Sequence, residues 1–233
     1  GKPLEMIGDK SLIQWVYESA SKSTLLDKII VATDDERIFK EVLRFGGDVE
    51  MTSLNHISGT DRIAEVAKSY EEYDVVINVQ GDQPFITVDM LKGLINPFLE
   101  NKSVKMSTIA APINLDNKET FENPNNVKVV VNKEGKAIYF SRASIPYFRK
   151  KLVAPVYHHI GLYAYDREFL LEFSMLESSN LELCEGLEQL RVIENGYDIY
   201  VEVVDGLPLE VNTPEDLTQI RKYYIENKGA FQD

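Results

Sequence analysis

The sequence predicts an α/β fold with a mixed, mostly parallel sheet flanked by helices. Two short apolar runs, Lys28–Thr33 and Val75–Val79, are typical of strands that are buried on both faces of a parallel sheet. These runs alternate with helical patterns in the first half of the chain. The second half is richer in strand–turn–strand patterns, which predicts a smaller antiparallel portion within the same sheet.

Helix signals organise the first half. Apolar residues at positions 12, 13, 16 and 17 share one face of a helix in the segment Ser11–Glu18. A second helix, Asp35–Phe45, ends at the glycine pair 46–47. A short strand near Asp48–Met51 and a helix near Asp61–Ser69 follow. Because the first helix of such a fold normally returns from a strand, we expect a first strand upstream of residue 1.

The second half predicts hairpins and a capped final helix. A turn at Lys133–Lys136 separates two strand-like segments, and Thr213 and Pro214 suit the N-cap and first position of a helix. The expected elements are strands at Lys105–Ala111, Val127–Asn132, Ala137–Ser141, Tyr157–Tyr165 and Tyr200–Val204, and helices near Glu168–Ser174 and Leu187–Asn195. With no linker or repeat in the sequence, we expect one domain over residues 1–233: a first half to about 110, a second part over about 111–205, and a return to the core over 206–233.

The composition excludes several classes of protein. The chain carries 25 Lys and Arg against 38 Asp and Glu, a formal net charge of −13, and such a surface repels the phosphate backbone of a nucleic acid. Since Cys184 is the one cysteine, an internal disulfide and a multi-cysteine zinc site are excluded, which favours a reducing, cytoplasmic location. No apolar run approaches the roughly 20 residues that span a bilayer, so membrane insertion is not expected.

The sharpest candidate site is the segment Asn78–Pro84, where a buried strand runs into Gly81 and Asp82. Ligands of open α/β sheets bind beyond the carboxyl ends of the strands. Gly81 lets the backbone approach a ligand closely, and the Asp82 carboxylate suits a Mg²⁺ ion that is shared with phosphates. The alternative is a turn in which both residues serve only the backbone geometry. The spacing alone leaves both interpretations open.

Other polar segments also carry two interpretations each, and the structural one is favoured for the Ser58–Arg62 loop and for the histidine pair. The loop Ser58–Arg62 opens a helix, so its N–H groups could hold an anion or a base edge, or its serine is an ordinary N-cap. Arg142, among apolar residues, either pairs internally or binds a carboxylate with two nitrogens. Of the neighbours His158 and His159 only one can face a given pocket, and a satisfied structural histidine is the commoner role. Glu188 could equally be a solvated helix charge. The common nucleotide-binding glycine motifs are absent from the sequence.

Eight segments occur in an order that is more specific than any one of them. They are Gly1-Lys2-Pro3-Leu4, Ala32-Thr33-Asp34-Asp35, Ser58-Gly59-Thr60, Asn78-Val79-Gln80-Gly81-Asp82, Tyr139-Phe140-Ser141-Arg142 with Ile145-Pro146, His159-Ile160-Gly161, Leu187-Glu188-Gln189-Leu190-Arg191 and Thr213-Pro214-Glu215-Asp216. Over essentially the whole chain, this set resembles the 3-deoxy-manno-octulosonate cytidylyltransferase family, the CMP-Kdo synthetases of lipopolysaccharide assembly.

The resemblance implies a nucleotidyltransferase-like (GT-A/Rossmann-like) fold, a Mg²⁺ cofactor and a reaction. In that reaction the anomeric hydroxyl of Kdo (3-deoxy-D-manno-octulosonate) attacks the α-phosphorus of CTP, giving CMP-Kdo and pyrophosphate. Phosphoryl transfer of this kind needs mainly positioning and neutralisation of charge. The first half would bind the nucleotide, and the second part would bind the sugar and form a homodimer. The location would be cytoplasmic, where CTP is found.

The resemblance also implies a role for each candidate residue. Asp82, Lys2 and Arg142 would be the catalytic residues, with Asp82 and Asn212 as ligands of the metal. Lys2 would contact the CTP phosphates, and the nucleotide site would be lined by Ser58, Gly59, Thr60 and Gln80. Arg142 would bind the Kdo carboxylate. The sugar hydroxyls would be bound by His159, Tyr163, Glu188 and Gln189.

Two departures from the family pattern lead to further expectations. The family has a strand and an Arg/Ser-rich phosphate loop ahead of Gly1-Lys2-Pro3-Leu4, and we expect a chain limited to these residues to bind CTP poorly. Asn212 stands where the family usually has an aspartate, and an amide oxygen brings no charge to a metal. We hypothesise that Glu210, which shares a face with Asn212 in an extended segment, supplies that charge or contacts the sugar.

Several alternatives remain at this level. A related subgroup activates 8-amino-3,8-dideoxy-octulosonate, and an extra carboxylate at Glu210 could favour an ammonium group over a hydroxyl. A nucleotidyltransferase for sugar 1-phosphates or sialic acid is disfavoured by the segments around Arg142 and Leu187–Arg191. A non-catalytic relative that binds nucleotide or only a partner subunit draws its support from Asn212 and from the missing upstream phosphate loop.

Overall fold

The structure, a computed structural model, describes residues 1–150, 155–211 and 213–227. The strands follow one another as β1 (Met6–Ile7), β2 (Lys10–Ser11), β3 (Val31–Thr33), β4 (Val49–Met51), β5 (Val75–Asn78), β6 (Met106–Pro112), β7 (Lys128–Val131), β8 (Ala137–Ser141), β9 (Tyr157–Asp166) and β10 (Ile199–Val203). The helices are α1 (Leu12–Ser21), α2 (Glu36–Arg44), α3 (Gly59–Ala67), α4 (Val88–Glu100), α5 (Lys118–Glu122), α6 (Arg167–Phe173), α7 (Asn180–Glu185), α8 (Gln189–Glu194) and α9 (Pro214–Glu226), and a 3₁₀ turn covers Lys2–Leu4.

The chain divides into two compact units. The first unit contains Gly1–Val66, Val79–Leu91 and the chain from Pro208, and the second contains Ala67–Asn78 and Lys92–Leu207. The boundaries predicted near residues 110 and 205 separate parts of one domain by their expected function. That division by function stays a prediction.

The core of the first unit is built around Trp15 on α1. Its indole N–H donates to the carbonyl of Ile7 at 2.8 Å, and its ring meets Phe85 and Tyr224 edge-on, with centroids 5.7 and 5.4 Å apart. Leu12, Val211 and the α9 residues Leu217 and Ile220 complete this cluster. The amino-terminal hairpin, α1 and α9 are therefore joined by one apolar cluster.

Local signals explain the ends of α2 in the same unit. Asp35 caps the helix by accepting the N–H of Arg37 at 2.8 Å. After Phe45 the chain reverses at Gly46, whose φ of 80° lies in the left-handed region that glycine adopts without strain. The chain then continues into β4, which pairs in parallel with β3.

The second unit contains a six-stranded sheet in the order β10-β6-β9-β7-β8, with β5 also paired to β9. β10 and β6 are parallel, and the other pairs are antiparallel. The helix α4 lies close against this sheet, since a Cβ at Gly93 would lie 3.1 Å from Val204 and 3.2 Å from Ile109. β9 is the organising strand, because it pairs with β6, β7 and β5 along its length.

The α/β class and the mixed sheet are confirmed, but the balance of strand directions differs from the prediction. Val75–Asn78 was expected in a mostly parallel sheet, yet it runs antiparallel to β9, and antiparallel pairs outnumber parallel ones in the described residues. The reason is that a continuous apolar run reports burial on both faces and carries no information about strand direction.

Several elements were not predicted from the sequence. They are the hairpin β1–β2 and the helices α4, α5 and α7. α4 carries Pro97 in its interior, and α5 and α7 are only five and six residues long, so their periodic patterns are weak. None of the helices in the described part of the chain is both long enough and apolar enough to cross a membrane.

We predict that Thr213→Ala lowers the free energy of unfolding by about 1 kcal/mol, the usual contribution of an N-cap. The Thr213 hydroxyl accepts the N–H of Asp216 at 3.1 Å, and the Asp216 carboxylate accepts the N–H of Thr213 at 2.8 Å. Urea unfolding followed by circular dichroism measures the change.

Thr218→Ala is the matched control. Its hydroxyl donates to the carbonyl of Pro214 within the same helix, on an exposed face. We expect a change within about 0.5 kcal/mol. Equal losses in the two variants would contradict the assigned role of Thr213 as the cap.

Candidate active site

Lys2 and Asp82, two of the predicted catalytic residues, form an ion pair in the first unit. The Nζ of Lys2 is 2.9 Å from Oδ2 of Asp82, and the two side chains are 41% and 28% exposed. Lys2 is placed by the 3₁₀ turn, which is closed by a hydrogen bond from the N–H of Leu4 to the carbonyl of Gly1. The Asp82 carboxylate is therefore reachable by a ligand.

The chain around Asp82 is held by the segment that leads into α9. The N–H of Val211 donates to the carbonyl of Asp82 at 2.9 Å, and Nε2 of Gln83 donates to Glu210 at 2.6 Å. Gln83 is 2% exposed, and its Oε1 has no hydrogen-bond partner among the described residues. Glu210 thus immediately precedes Val211, the residue whose N–H is bonded to Asp82. Whether it supplies charge to a metal stays a prediction.

The described residues fit a metal ion that is shared with a substrate. They contain no cluster of three or more histidine, cysteine, aspartate or glutamate side chains able to hold a metal unaided. Mg²⁺ is commonly bound by one or two carboxylates together with phosphate oxygens, and Asp82 offers one accessible carboxylate. The second predicted ligand, Asn212, lies outside the described residues.

The candidate nucleotide loop begins α3. Oγ of Ser58 accepts the N–H of Asp61 at 3.1 Å, and the Asp61 carboxylate accepts the N–H of Ser58 at 3.2 Å. This reciprocal pair has the geometry of an N-cap, and contact of the same loop with a nucleotide stays a prediction. Thr60 is 3% exposed, Gly59 is exposed, and Gln80 is half-buried and accepts the N–H of Gln83 through its carbonyl.

Ion pairs on α3 brace this loop. The carboxylate of Glu65 pairs with the ring of His56 and accepts the N–H of Ser53. The guanidinium of Arg62 lies 2.7 Å from Asp34, the residue that follows β3. The loop between β4 and α3 is therefore tied to the helix at both of its ends.

In the second unit, Arg142 is bonded to backbone carbonyls. Its Nε donates to Glu185 at 2.7 Å, Nη1 to Pro124 at 3.2 Å and Nη2 to Gly186 at 3.3 Å. These bonds occupy three of the five N–H donors of the guanidinium. The side chain is half-buried and is fixed by neutral acceptors, so its charge is not neutralised by these bonds.

His159 and Tyr163 lie on either side of an irregularity in β9. Thr108 of β6 pairs with Tyr163, whereas the next residue, Ile109, pairs with Ile160, so two residues of β9 are left out of the register. The rings of His159 and Tyr163 remain adjacent, with centroids 5.5 Å apart. Bulges of this kind are frequent beside ligand sites because they redirect side chains.

The hydrogen bonds of Thr108 define the tautomer of His159. The Thr108 hydroxyl donates its one proton to the carbonyl of Leu162 at 2.7 Å, so its oxygen accepts a hydrogen bond from the Nε2–H of His159 at 3.0 Å. Burial, with a smaller effect of His158, lowers the pKa of His159 to about 3. Burial and the nearby Glu188 charge raise the pKa of Tyr163. Both rings are therefore neutral near pH 7.

Glu188 and Gln189 lie at the start of α8. Gln189 is 4% exposed, and its Nε2 has no hydrogen-bond partner among the described residues. A buried amide donor without an acceptor is uncommon and suits a group that binds a ligand oxygen. Glu188 is half-buried, and its carboxylate is 3.7 Å from Arg191.

Four polar residues at these sites were not selected from the sequence: Gln83, Thr108, Lys128 and Glu185. Lys128 offered a signal, since it is a lone charge within the apolar run Val127–Val131. Glu185 precedes Gly186, a glycine expected at a helix end. Gln83 and Thr108 offered none, because their roles depend on partners more than fifty residues away.

Comparison with known proteins places the chain in a family. Residues 1–199 match the family model described as cytidylyltransferase. The chain belongs to the cytidylyltransferase family. It is 52% identical over 227 residues to a 3-deoxy-manno-octulosonate cytidylyltransferase of Fusobacterium nucleatum, covering 97% of this chain and 91% of that protein. It is 48% identical over 223 residues to a protein of the same name from Acaryochloris marina, covering 96% and 90%.

Solved structures agree with this cytidylyltransferase assignment. A structure of CMP:2-keto-3-deoxy-manno-octonic acid synthetase complexed with CTP superposes with a TM-score of 0.92 at 38% identity, over 97% of this chain and 92% of that chain. The 4-diphosphocytidyl-2C-methyl-D-erythritol synthase of Anaerococcus prevotii shares the fold, with a TM-score of 0.62 at 16% identity over 97% and 93%.

We predict that His159 makes the cytidylyltransferase less stable as the pH falls. Its pKa is about 3 in the folded protein against 6.5 as the ordinary value, so the unfolded chain binds an extra proton between these pH values. The stabilisation from neutral His159 is complete above pH 6.5 and falls by about 2 kcal/mol between pH 7 and pH 5. Urea unfolding of the wild type and His159→Gln across this range should show a shallower pH slope in the variant.

Phe140→Leu serves as the control for loss of packing. Phe140 meets His159 edge-on with centroids 4.8 Å apart, and it does not titrate. This variant should be destabilised but keep the wild-type slope. If His159→Gln also kept that slope, His159 would not be the residue that titrates.

We predict that Gln83→Glu destabilises the cytidylyltransferase by about 2 kcal/mol near pH 7, because a second carboxylate would replace the amide that donates to Glu210. Two carboxylates this close share a proton, which raises the pKa of the pair above that of the unfolded chain. The loss should therefore diminish as the pH falls towards 4.

Gln14→Glu is the matched control. Nε2 of Gln14 donates to Glu18 at 2.9 Å on the surface of α1, where solvent screens the repulsion and Lys10 also binds Glu18. Thermal unfolding at pH 4 and pH 7 compares the two variants. A pH-independent loss in Gln83→Glu, or one no larger than in Gln14→Glu, would contradict the prediction.

Proposed function

We propose that this chain transfers the cytidylyl group of CTP to Kdo. The anomeric hydroxyl oxygen of Kdo forms a bond to the α-phosphorus, the bond to the β-phosphate oxygen breaks, and pyrophosphate and a proton are released. The observation that supports this proposal most directly is the partly exposed ion pair of Lys2 and Asp82. It lies in a chain that is 52% identical to a protein named for this activity.

The first unit supplies the charges that such a reaction needs. Lys2 would leave Asp82 to bind the phosphates of CTP, and the segment Ser58–Thr60 together with Gln80 would contact the nucleotide. Mg²⁺, when bound at Asp82 and Asn212, would neutralise phosphate charge and polarise the α-phosphate. Since the Lys2–Asp82 pair is partly exposed, opening it has a low free-energy cost.

The second unit supplies groups that suit a polyhydroxylated acid. Two N–H donors of Arg142 are not used by the described residues, and a planar guanidinium matches the two oxygens of the Kdo carboxylate. His159, Tyr163, Glu188 and Gln189 would bind the sugar hydroxyls. Neutral rings are suited to this because a hydroxyl both donates and accepts.

The names of the relatives favour Kdo over its 8-amino analogue and over a non-catalytic role. We further propose that the product enters lipopolysaccharide synthesis, that the enzyme acts in the cytoplasm, where CTP is found, and that it is a homodimer. The homodimer draws support from exposed apolar side chains of the second unit, Ile138 on β8 and Leu183 on α7.

We predict that Asp82→Asn lowers kcat/KM for CTP by about 100-fold or more, because it removes the charge that would bind the metal. Release of pyrophosphate from CTP in the presence of Kdo and Mg²⁺ measures the reaction, and 8-amino-3,8-dideoxy-octulosonate tests the choice of sugar.

Asp89→Asn is the control with the same change of charge, since Asp89 is exposed in the first turn of α4. It should retain activity within about twofold. Full activity of Asp82→Asn at low Mg²⁺ would overturn the proposed role of Asp82, and a preference of the wild type for the amino sugar would overturn the choice of Kdo.

A further inference from the structure

The carboxylate of Glu185 is hydrogen-bonded to the chain segment Ser141–Arg142. It accepts the hydroxyl of Ser141 at 2.6 Å through Oε1 and the N–H of Arg142 at 2.9 Å through Oε2. Burial acts to raise the pKa of Glu185, but the bonds from Ser141 and Arg142 outweigh it, so the pKa lies below its ordinary value. Glu185 is therefore an ionised carboxylate that fixes the end of β8.

The same helix end also fixes the side chain of Arg142. α7 terminates at Gly186, whose φ of 63° turns the chain out of the helix. The carbonyls of Glu185 and Gly186 then accept two N–H groups of the Arg142 guanidinium. Glu185 thus holds the backbone of Arg142 with its side chain and the guanidinium with its carbonyl.

A buried lysine completes this arrangement. Lys128 is 0% exposed, and its Nζ donates to the carbonyl of Arg142 at 2.7 Å and to that of Asn123 at 3.0 Å. Desolvation lowers the pKa of Lys128, and the charge of Glu185 opposes that shift. The backbone of Arg142 is consequently bonded on its N–H side to an anion and on its carbonyl side to a cation.

We propose that Glu185 is a positioning residue for Arg142, which it holds in the orientation that receives the substrate carboxylate. This inference rests on the proposed function for the identity of the substrate. It assigns to Glu185 no contact with the sugar. Glu185 lies three residues before Glu188 and four before Gln189, so the same helix end that places the arginine leads directly into two candidate sugar-binding residues.

The test is the effect of Glu185→Gln on each substrate separately. The amide keeps the size of the side chain but removes the charge, so we expect KM for Kdo to rise by about tenfold while KM for CTP stays within about twofold. Because Glu185 acts through Arg142, adding Glu185→Gln to Arg142→Lys should raise KM for Kdo no further than Arg142→Lys alone. Fully additive effects would overturn the proposal.

A second readout does not depend on turnover. In protein labelled with ¹⁵N-arginine, the Nε–Hε signal of Arg142, assigned through Arg142→Lys, should exchange with solvent slowly in the wild type and at least about tenfold faster in Glu185→Gln. Glu194→Gln is the control: Glu194 accepts the N–H of Leu181 in α7 but does not contact Arg142, so it should leave the signal and both KM values unchanged.

The outcomes separate the two claims. If the wild type, assayed with the expected upstream phosphate loop present, released no pyrophosphate with Kdo, the proposed function would fail, and the exchange of the arginine signal would still decide whether Glu185 positions Arg142. If Glu185→Gln only lowered the melting temperature, with an unchanged exchange rate and an unchanged KM for Kdo, Glu185 would be a structural residue and the inference would fail.

Discussion

The ion pair between Lys2 and Asp82 is the interaction on which the function proposed for the first unit depends. Both side chains are partly exposed, and pairs of this kind contribute about 0–1 kcal/mol to stability. Its importance therefore lies in placement: a cation from the amino terminus and an anion that follows β5 are held together before any ligand arrives. In the proposed function, a nucleotide with its metal would bring the complementary charges and replace each partner of the pair at little cost. That exchange of partners is the reason the arrangement suits the proposed binding of a triphosphate.

The second unit uses a different kind of preorganisation. His159 and Tyr163 are neutral because burial disfavours their charged forms, and Gln189 presents a buried amide. Arg142 keeps its charge and is fixed by carbonyls that do not neutralise it. The proposed sugar site would combine one full positive charge with several neutral donors and acceptors. Such a set would suit a hydroxylated carboxylic acid, whose carboxylate matches the guanidinium and whose hydroxyls both donate and accept.

The sequence predicted the class of the fold and most strands and long helices, because burial and helix caps are local patterns. Thr213 and Pro214 are an example, since cap chemistry alone predicted the start of α9. Strand direction was not predictable from Val75–Asn78, because an apolar run has no direction. The candidate site residues were selected from motifs, whereas Gln83 and Thr108 gave no signal because their partners, Glu210 and Leu162, lie more than fifty residues away in the chain.

The irregularity in β9 has a consequence for how this strand tolerates change. Side chains of a strand alternate between its faces with a period of two, so leaving out a single residue would turn every later side chain to the opposite face. Two residues are left out between Ile160 and Tyr163. Ala164 and Tyr165 are adjacent and so lie on opposite faces of β9, and both are buried, at 0% and 1% exposure. Because both faces are packed, loss or gain of an odd number of residues at this point would exchange two buried faces. A change of an even number would reshape the neighbourhood of His159 and keep each later side chain on its own face, so this short stretch can vary in length while the rest of the strand keeps its packing.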